Sequence, residues 1–347
     1  MQQAPPVKVS IRLPHAYCSA GVEPILRIAE KAEELSFFGV SVQDHLVADA
    51  SVSPCGESHS AQGDDRVVLD SLETLAFVAG RTHAVRLITA VLRLPLHNAI
   101  LLSKQASTVD VLSQGRLILG IGVGSSPQRR SLHDGGQNLS AHARISQIEF
   151  DALGVREGRG ALADESLEVM RRIWTEEAPS CQGRFYNFGA LPIFPKPLQK
   201  DGVPIWVGGR SPAARLRAMR FGDAWIPSQI SASQLAESIG WMQGIAAEQG
   251  LSMPQTVGVN LFAVMGRTDE HALSIAARSF GGRFAPEGLA DSMLVGSSAT
   301  ITDQMRRYVE AGAMVFDLKL LPPTLGSTLE AMETLASLIL PALASAA

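Results

Sequence analysis

Several residues have side chains that can exchange protons, and they come immediately after short apolar runs of the sequence. Asp44 and His45 follow the run VSVQ, and His15 follows VKVSIRLP. A histidine titrates near neutral pH and can exchange a proton with a reacting group. We therefore predict that His45 is catalytic, that Asp44 helps to bind a cofactor and that His15 binds substrate. In an alternative role, Asp44 only holds a neighbouring loop.

A pair of glycines before a helix start is the second candidate feature. Gly208 and Gly209 precede Arg210, and the following Ser211-Pro212 has the residue types of an N-cap and first helical position. Glycines leave backbone N–H groups open, and the N-terminus of a helix attracts anions. Gly208, Gly209 and Arg210 are therefore predicted to bind a phosphate group. An ordinary turn that needs glycine for its geometry is the alternative.

A second group of glycines, Gly120, Gly122 and Gly124, follows a short apolar run. Their spacing does not fit the dinucleotide-binding pattern G-x-G-x-x-G, because Ser125 stands where the third glycine belongs when counted from Gly120. Glycines at alternate positions allow close approach to the backbone. We predict that Gly122, Val123 and Gly124 form a flat floor for a planar ligand, with simple packing as the alternative.

The elements that must position these residues alternate regularly along the chain. Helical periodicity fills the stretches between eight apolar runs, and these runs predict strands at 7–13, 40–43, 85–92, 116–121, 205–209, 222–226, 256–265 and 313–320. This alternation predicts a single (β/α)8 TIM barrel over residues 1–347. Long loop insertions follow strands 2 and 4, and the second, about 125–158, is predicted to act as a lid. In such barrels the active site lies at the C-terminal ends of the strands, where the candidate residues occur.

Composition limits the partners and the cellular compartment. The net charge of −4 gives no general attraction to nucleic acid or to an anionic membrane. The three cysteines have neither metal-ligand nor CxxC spacing, which is typical of a reducing compartment, and we predict no metal site. No apolar run reaches the roughly 18–20 residues that span a bilayer, and no secretory signal is recognised. The predicted location is therefore cytoplasmic.

The chain resembles the bacterial luciferase-like family of flavin- and deazaflavin-dependent oxidoreductases. The resemblance extends over about residues 9–320 and depends on the order and spacing of short motifs, each weak alone. These motifs are QDHL at 43–46, TAVL at 89–92, LLSKQA at 101–106, LSQGRLILGIGVG at 112–124, GRFY at 183–186, PKP at 195–197, PIWVGG at 204–209 and GDAW at 222–225.

The resemblance implies a barrel that holds FMN or coenzyme F420 at its C-terminal mouth. Ala90 and Val91 match the bulge of strand 3 under the cofactor ring, where the peptide is cis in several members. Gly208 and Gly209 match the phosphate-binding turn, in agreement with the physical argument above. His45 matches a residue near the ring in deazaflavin-using members. The family also implies a homodimer.

Two positions bear on the reaction. Asp-His-Leu at 44–46 is more similar to deazaflavin enzymes than to flavin monooxygenases, which tend to carry Glu-His there. Ser125 stands where some deazaflavin sugar dehydrogenases have a catalytic Glu, so we predict that Ser125 contacts a substrate other than a sugar phosphate. The leading hypothesis is hydride transfer between F420 and a small organic substrate. The alternatives are an FMNH2-dependent monooxygenase, with cofactor reduced by a separate reductase, and a non-catalytic flavin-binding barrel.

Overall fold

Eight parallel strands form a closed barrel in the computed structural model, which describes residues 7–48, 67–125, 141–155, 158–280, 291–322 and 324–344. Each strand pairs with the next in chain order, and the eighth pairs with the first. The strands are β1 Lys8–Arg12, β2 Gly39–Val42, β3 Arg86–Thr89, β4 Leu117–Gly122, β5 Ile205–Gly208, β6 Ala224–Ile226, β7 Thr256–Met265 and β8 Val315–Leu321. The predicted (β/α)8 barrel is thereby confirmed.

Helices connect successive strands. They are α1 Val22–Glu34, α2 Ser71–Ala79, α3 Ala99–Leu112, α4 Ala141–Ala152, α5 Arg159–Thr175, α6 Pro212–Phe221, α7 Ala232–Gln249, α8 Asp269–Ser279, α9 Ser298–Glu310 and α10 Leu325–Thr334, which continues through a π-helical turn to Ala344. Several begin at a polar residue whose side chain accepts a backbone N–H, as at Asn98 before α3 and Ser231 before α7. These caps fix where the helices start behind the barrel mouth.

Alternation of side chains along each strand divides the core into two parts. Outward residues such as Val9 and Ile11 of β1 pack in the main core cluster between the sheet and the helices. Inside the barrel, the N-terminal end is filled by apolar side chains, where Phe38 stacks on Trp206 with ring centroids 6.0 Å apart. Towards the C-terminal end, the inward positions become polar, so the mouth can receive a polar ligand.

Some local expectations differ from the structure. The strand predicted over 85–92 is divided: β3 ends at Thr89, and a short strand, Leu92–Arg93, pairs separately with β4. A short strand, Leu294–Gly296, and a hairpin, Cys181–Gln182 with Asn187–Phe188, were not predicted. The helix α4 lies inside the stretch predicted as a loop.

Much of the two predicted loop insertions lies outside the described residues, namely 49–66 after β2 and both 126–140 and 156–157 after β4. In the described part of the chain, no helix combines the length and apolar character needed to cross a membrane.

Candidate active site

The chain leaves β3 at the peptide Ala90–Val91, which is cis as the resemblance implies. The Ala90 N–H donates to the Val42 carbonyl at 2.6 Å, and the Arg12 guanidinium donates to the Ala90 carbonyl at 3.2 Å. These two bonds hold the bulge from β2 and from β1. The predicted cofactor contacts Ala90 and Val91 therefore lie at the C-terminal mouth.

The space next to the glycines of the predicted floor is occupied by this bulge. A Cβ atom on Gly120 would lie 1.9 Å from the Thr89 carbonyl oxygen. A Cβ on Gly122 would lie 3.0 Å from Val91 Cγ2, and one on Gly208 would lie 3.1 Å from Val91 Cγ1. The glycines thus make room for the backbone and side chain of β3. This geometry favours the packing alternative for Gly120. The side chain of Val91 lies against Gly122 of β4 and Gly208 of β5 and so covers the space between these strands.

A charged cluster, which we call the Glu149 cluster (Asp44, His45, Arg93, His97 and Glu149), joins the ends of β2 and β3 to α4. Glu149 is fully buried and accepts the backbone N–H of Leu46 at 2.8 Å and of Val47 at 3.0 Å. Its other carboxylate oxygen, Oε2, contacts the buried Arg93 guanidinium. His45 Nδ1 lies 3.8 Å from Oε1, the oxygen that accepts these two N–H groups.

The imidazole of His45 lies against the Arg93 guanidinium. The Arg93 guanidinium contacts His45 Nδ1, and because an arginine N–H only donates, this nitrogen accepts. His45 Nε2 lies 3.4 Å from the same guanidinium nitrogen, and 8% of the His45 side chain is exposed. A catalytic role of His45 stays a prediction.

The Asp44 carboxylate accepts from the Arg93 backbone N–H and from His97 Nε2, both at 2.9 Å. Burial alone would raise the pKa of Asp44, but these donors and their charges outweigh it and lower that pKa. Burial would likewise lower the pKa of His97, but the bond to Asp44 raises it. Asp44 therefore holds the loop after β3, which is the alternative role that the sequence left open.

The helix α4 covers the exits of β2, β3 and β4. A Cβ on Gly124 would lie 2.5 Å from Phe150 of α4, so the glycine allows the helix to approach. The Ser125 carbonyl accepts from Ser146 at 3.4 Å and from Arg159 at 3.3 Å. The predicted substrate contact Ser125 thus lies beneath α4. Together with the Glu149 cluster, these contacts place the described part of the insertion over the mouth.

The turn after β5 leads into α6. Gly209 has a φ of +102°, and the Ser211 hydroxyl caps α6 by accepting the Ala214 N–H at 3.2 Å. Gly209 and Arg210 are exposed, and Arg210 donates to the Gln229 carbonyl at 2.6 Å. Open backbone N–H groups at a helix N-terminus beside a guanidinium suit a phosphate group. The predicted phosphate turn therefore has the geometry that such a group needs.

His15 lies away from these residues and is 1% exposed. Its Nδ1 lies 3.1 Å from the Leu13 carbonyl, and its Nε2 lies 2.8 Å from the Gln43 carbonyl. Burial lowers the pKa of His15 to about 4. These contacts favour a role in joining the ends of β1 and β2, and substrate binding by His15 stays a prediction.

A polar network inside the barrel was not predicted. Asp317 of β8 is 1% exposed and accepts from Ser10 at 2.9 Å, from Ser41 at 2.5 Å and from Arg12 at 3.0 Å, and also contacts the Asn260 amide. The signal was present as polar residues at alternate positions of predicted strands. Arg93 and Glu149 were missed as well, because one follows a bulge and the other lies in a stretch without apolar periodicity.

Comparison with known proteins agrees with this geometry. A family model described as luciferase-like monooxygenase matches residues 9–286. An FMNH2-dependent dimethylsulfone monooxygenase of Pseudomonas putida is 28% identical over 200 residues, which cover 56% of this chain and 49% of that protein.

Two solved structures have the same fold. A monooxygenase from Streptomyces bottropensis superposes with a TM-score of 0.74 at 22% identity, over 96% of this chain and 99% of that one. An F420-dependent secondary alcohol dehydrogenase in complex with an F420–acetone adduct superposes with a TM-score of 0.73 at 14% identity, over 98% of this chain and 99% of that one. Because the family model covers most of the sequence, the chain belongs to the luciferase-like monooxygenase family.

Proposed function

We propose that the protein is an oxidoreductase that uses coenzyme F420 to transfer hydride to or from a small organic substrate. The ring would lie over the bulge at Ala90 and Val91, and the phosphate would lie at Gly209 and Arg210. The residues present fit such a group, because the turn before α6 offers backbone N–H groups and a guanidinium to an anion. When bound, the cofactor supplies the hydride chemistry.

The observation that carries the choice of F420 is a cavity beyond the phosphate turn. It has a volume of about 480 Å³ and is lined by Arg210, Arg215, Glu237 and Trp241 together with Ile230, Gln234 and Ser238. The Arg215 guanidinium lies 4.2 Å from the centre of the Trp241 ring. FMN ends at its phosphate, whereas F420 continues past it as an acidic chain. Two arginines beside this space suit the longer cofactor.

The chain's own residues would orient the cofactor and handle protons. The Glu149 cluster would hold His45 at the mouth, and α4 would limit the access of water from the side of β2 to β4. Supply of reduced cofactor by a separate reductase and assembly as a homodimer remain predictions of the resemblance.

An FMNH2-dependent monooxygenase is the second candidate. It is favoured by the relative from Pseudomonas putida, whose name specifies FMNH2 and which is 28% identical over 56% of this chain. Oxygen uptake distinguishes the two functions, because a deazaflavin reacts poorly with oxygen.

Titration of the purified protein with F420 and with FMN, followed by fluorescence, tests the proposal. We expect tight binding of F420 and weak binding of FMN. The substitution Arg215→Gln should weaken F420 binding without affecting FMN, since FMN does not reach that cavity. Tight FMN binding with substrate-dependent oxygen uptake would support the monooxygenase instead. Binding of neither cofactor would contradict both and favour a non-catalytic barrel.

A further inference from the structure

Lys319 is a cation on the inner face of β8 that the proposed function does not use. The register of the sheet pairs Lys319 with Phe262 of β7, and its Nζ lies 5.2 Å from the centre of that ring. It borders a small cavity together with Arg12 and Gln43. Within the described part of the chain, its ammonium group has no ion pair and no hydrogen bond.

The surroundings of Lys319 favour the neutral amine. In the described part of the chain, the charged or titratable groups around it are Arg12 of β1, His15 and Tyr17 after that strand, and Asp317 of β8. Asp317 pairs with Arg12 at 3.0 Å and so is already neutralised, and His15 is uncharged above about pH 4. Burial, with the charge of Arg12 acting in the same direction, lowers the pKa of Lys319 to about 7. A lysine in this state can give up or take a proton near neutral pH.

Lys319 is also linked to the bulge that marks the ring site. Arg12, its neighbour across the β8–β1 pairing, donates to the Ala90 carbonyl at 3.2 Å. Arg12 thus joins the cavity that Lys319 borders to the bulge at Ala90.

We propose that Lys319 is the general acid that protonates the substrate oxygen, an inference that rests on the proposed function. In the direction of reduction, hydride from the reduced deazaflavin forms a C–H bond at a carbonyl carbon while the C=O π bond breaks. The ammonium of Lys319 gives its proton to the oxygen and becomes a neutral amine. The product is an alcohol, and the deazaflavin is oxidised. In the reverse direction, the amine accepts the alcohol proton.

The chain contains a matched control. Lys8 of β1 lies at the opposite end of the barrel, with its Nζ 5.1 Å from the centre of the Phe38 ring. The two lysines thus make the same kind of aromatic contact, but only Lys319 lies near the mouth. The variants K319M, K319R and K8M separate loss of a proton donor from loss of a cation–aromatic contact, because arginine keeps the charge without donating a proton near neutral pH.

The first measurement needs no cofactor. Lysine amines of the full chain are dimethylated with ¹³C and titrated by NMR, and the Lys319 signal is assigned by its absence from K319M. We expect a midpoint near pH 7 for the Lys319 signal. A Lys319 signal that shows no titration below pH 9 would overturn the assignment, whatever cofactor the protein binds.

The second measurement is the pH profile of oxidation of reduced F420 by simple aldehydes and ketones. For the native chain, kcat should fall as pH rises through about 7, because the acid form is lost. K319M and K319R should lower kcat by roughly 10²- to 10⁴-fold and remove this limb, whereas K8M should change neither. Restoration of kcat by K319R would show that the charge or the packing is what matters and would refute the inference. Failure of F420 to bind any variant would instead contradict the proposed function.

Discussion

The contact between Glu149 and Arg93 is expected to hold α4 against the barrel, and the substitution Glu149→Gln tests this. Both side chains are buried, with exposures of 0% and 10%. The glutamine oxygen can still accept the N–H groups of Leu46 and Val47, so the substitution mainly removes the charge that faces Arg93. Leaving one member of a buried ion pair without its partner costs about 3–5 kcal/mol.

That cost should appear as easier opening of α4. If the helix opens without unfolding the barrel, a change of this size increases the exchange of its amide hydrogens by roughly 10²- to 10⁴-fold. Hydrogen–deuterium exchange with mass spectrometry measures this on peptides that span Ala141–Ala152. Peptides from α7, on the far side of the barrel, should exchange as in the native chain.

The substitution Asp151→Asn on the same helix is the control. Asp151 is exposed and accepts from Gln147 at 2.7 Å, so its neutralisation should change stability by no more than about 0.5 kcal/mol. If E149Q and D151N exchange at the same rate in α4, the buried pair does not hold the helix, and the account of the Glu149 cluster as its attachment is wrong.

Two further predictions concern stability. Gly120→Ala should lower the free energy of unfolding by about 3 kcal/mol, because the new Cβ would lie 1.9 Å from the Thr89 carbonyl oxygen. In the control Gly240→Ala, exposed on α7, the new Cβ would have no neighbour within 4 Å outside its own helix, and stability should rise by about 0.5–1 kcal/mol. Equal melting temperatures of the two variants would refute the packing role of Gly120. The pKa of His97 is raised by Asp44, so the stability from this pair is complete below the ordinary pKa of 6.5 and is lost as pH rises through the higher folded-state pKa. The melting temperature of H97Q should therefore fall below that of the native chain at pH 6 and approach it at pH 9. A difference in melting temperature that does not depend on pH would contradict a stabilising ion pair between His97 and Asp44.

The barrel could be predicted because its strands and helices are short and strongly patterned. The apolar run of 117–119 and the cap at Ser211 each determine one local element without reference to distant residues. Parallel strands then bring their C-terminal ends to one rim, which is why Asp44, Ala90 and Gly208 could be assigned to the mouth.

The helix α4 could not be predicted from apolar spacing. Its buried positions include Ile145 and Phe150 but also Ser146 and Glu149, whereas Ile148 is 48% exposed. A buried carboxylate is stable there only because Arg93 approaches from a different part of the chain. Periodicity measures apolar character and therefore misses a helix face whose burial depends on an ion pair.

The glycines at 120 and 122 illustrate a second limit. The sequence indicates that something approaches their backbone closely, but it does not identify what. The protein neighbour found there is the bulge of β3, which comes from the preceding strand, and a contact of Gly122 with a cofactor stays a prediction.

The Asp317 network has a consequence for how the chain folds during synthesis. The hydrogen bond from Ser10 to Asp317 joins residues 307 positions apart, and the ion pair of Arg12 joins the same two strands. Until β8 has emerged from the ribosome, Arg12 and Ser10 have no carboxylate to meet, and the edges of β1 and β7 stay unpaired. Contacts of such long sequence separation make folding slow. Nascent chains that end before β8 are therefore expected to expose two open sheet edges, which chaperones or proteases could recognise.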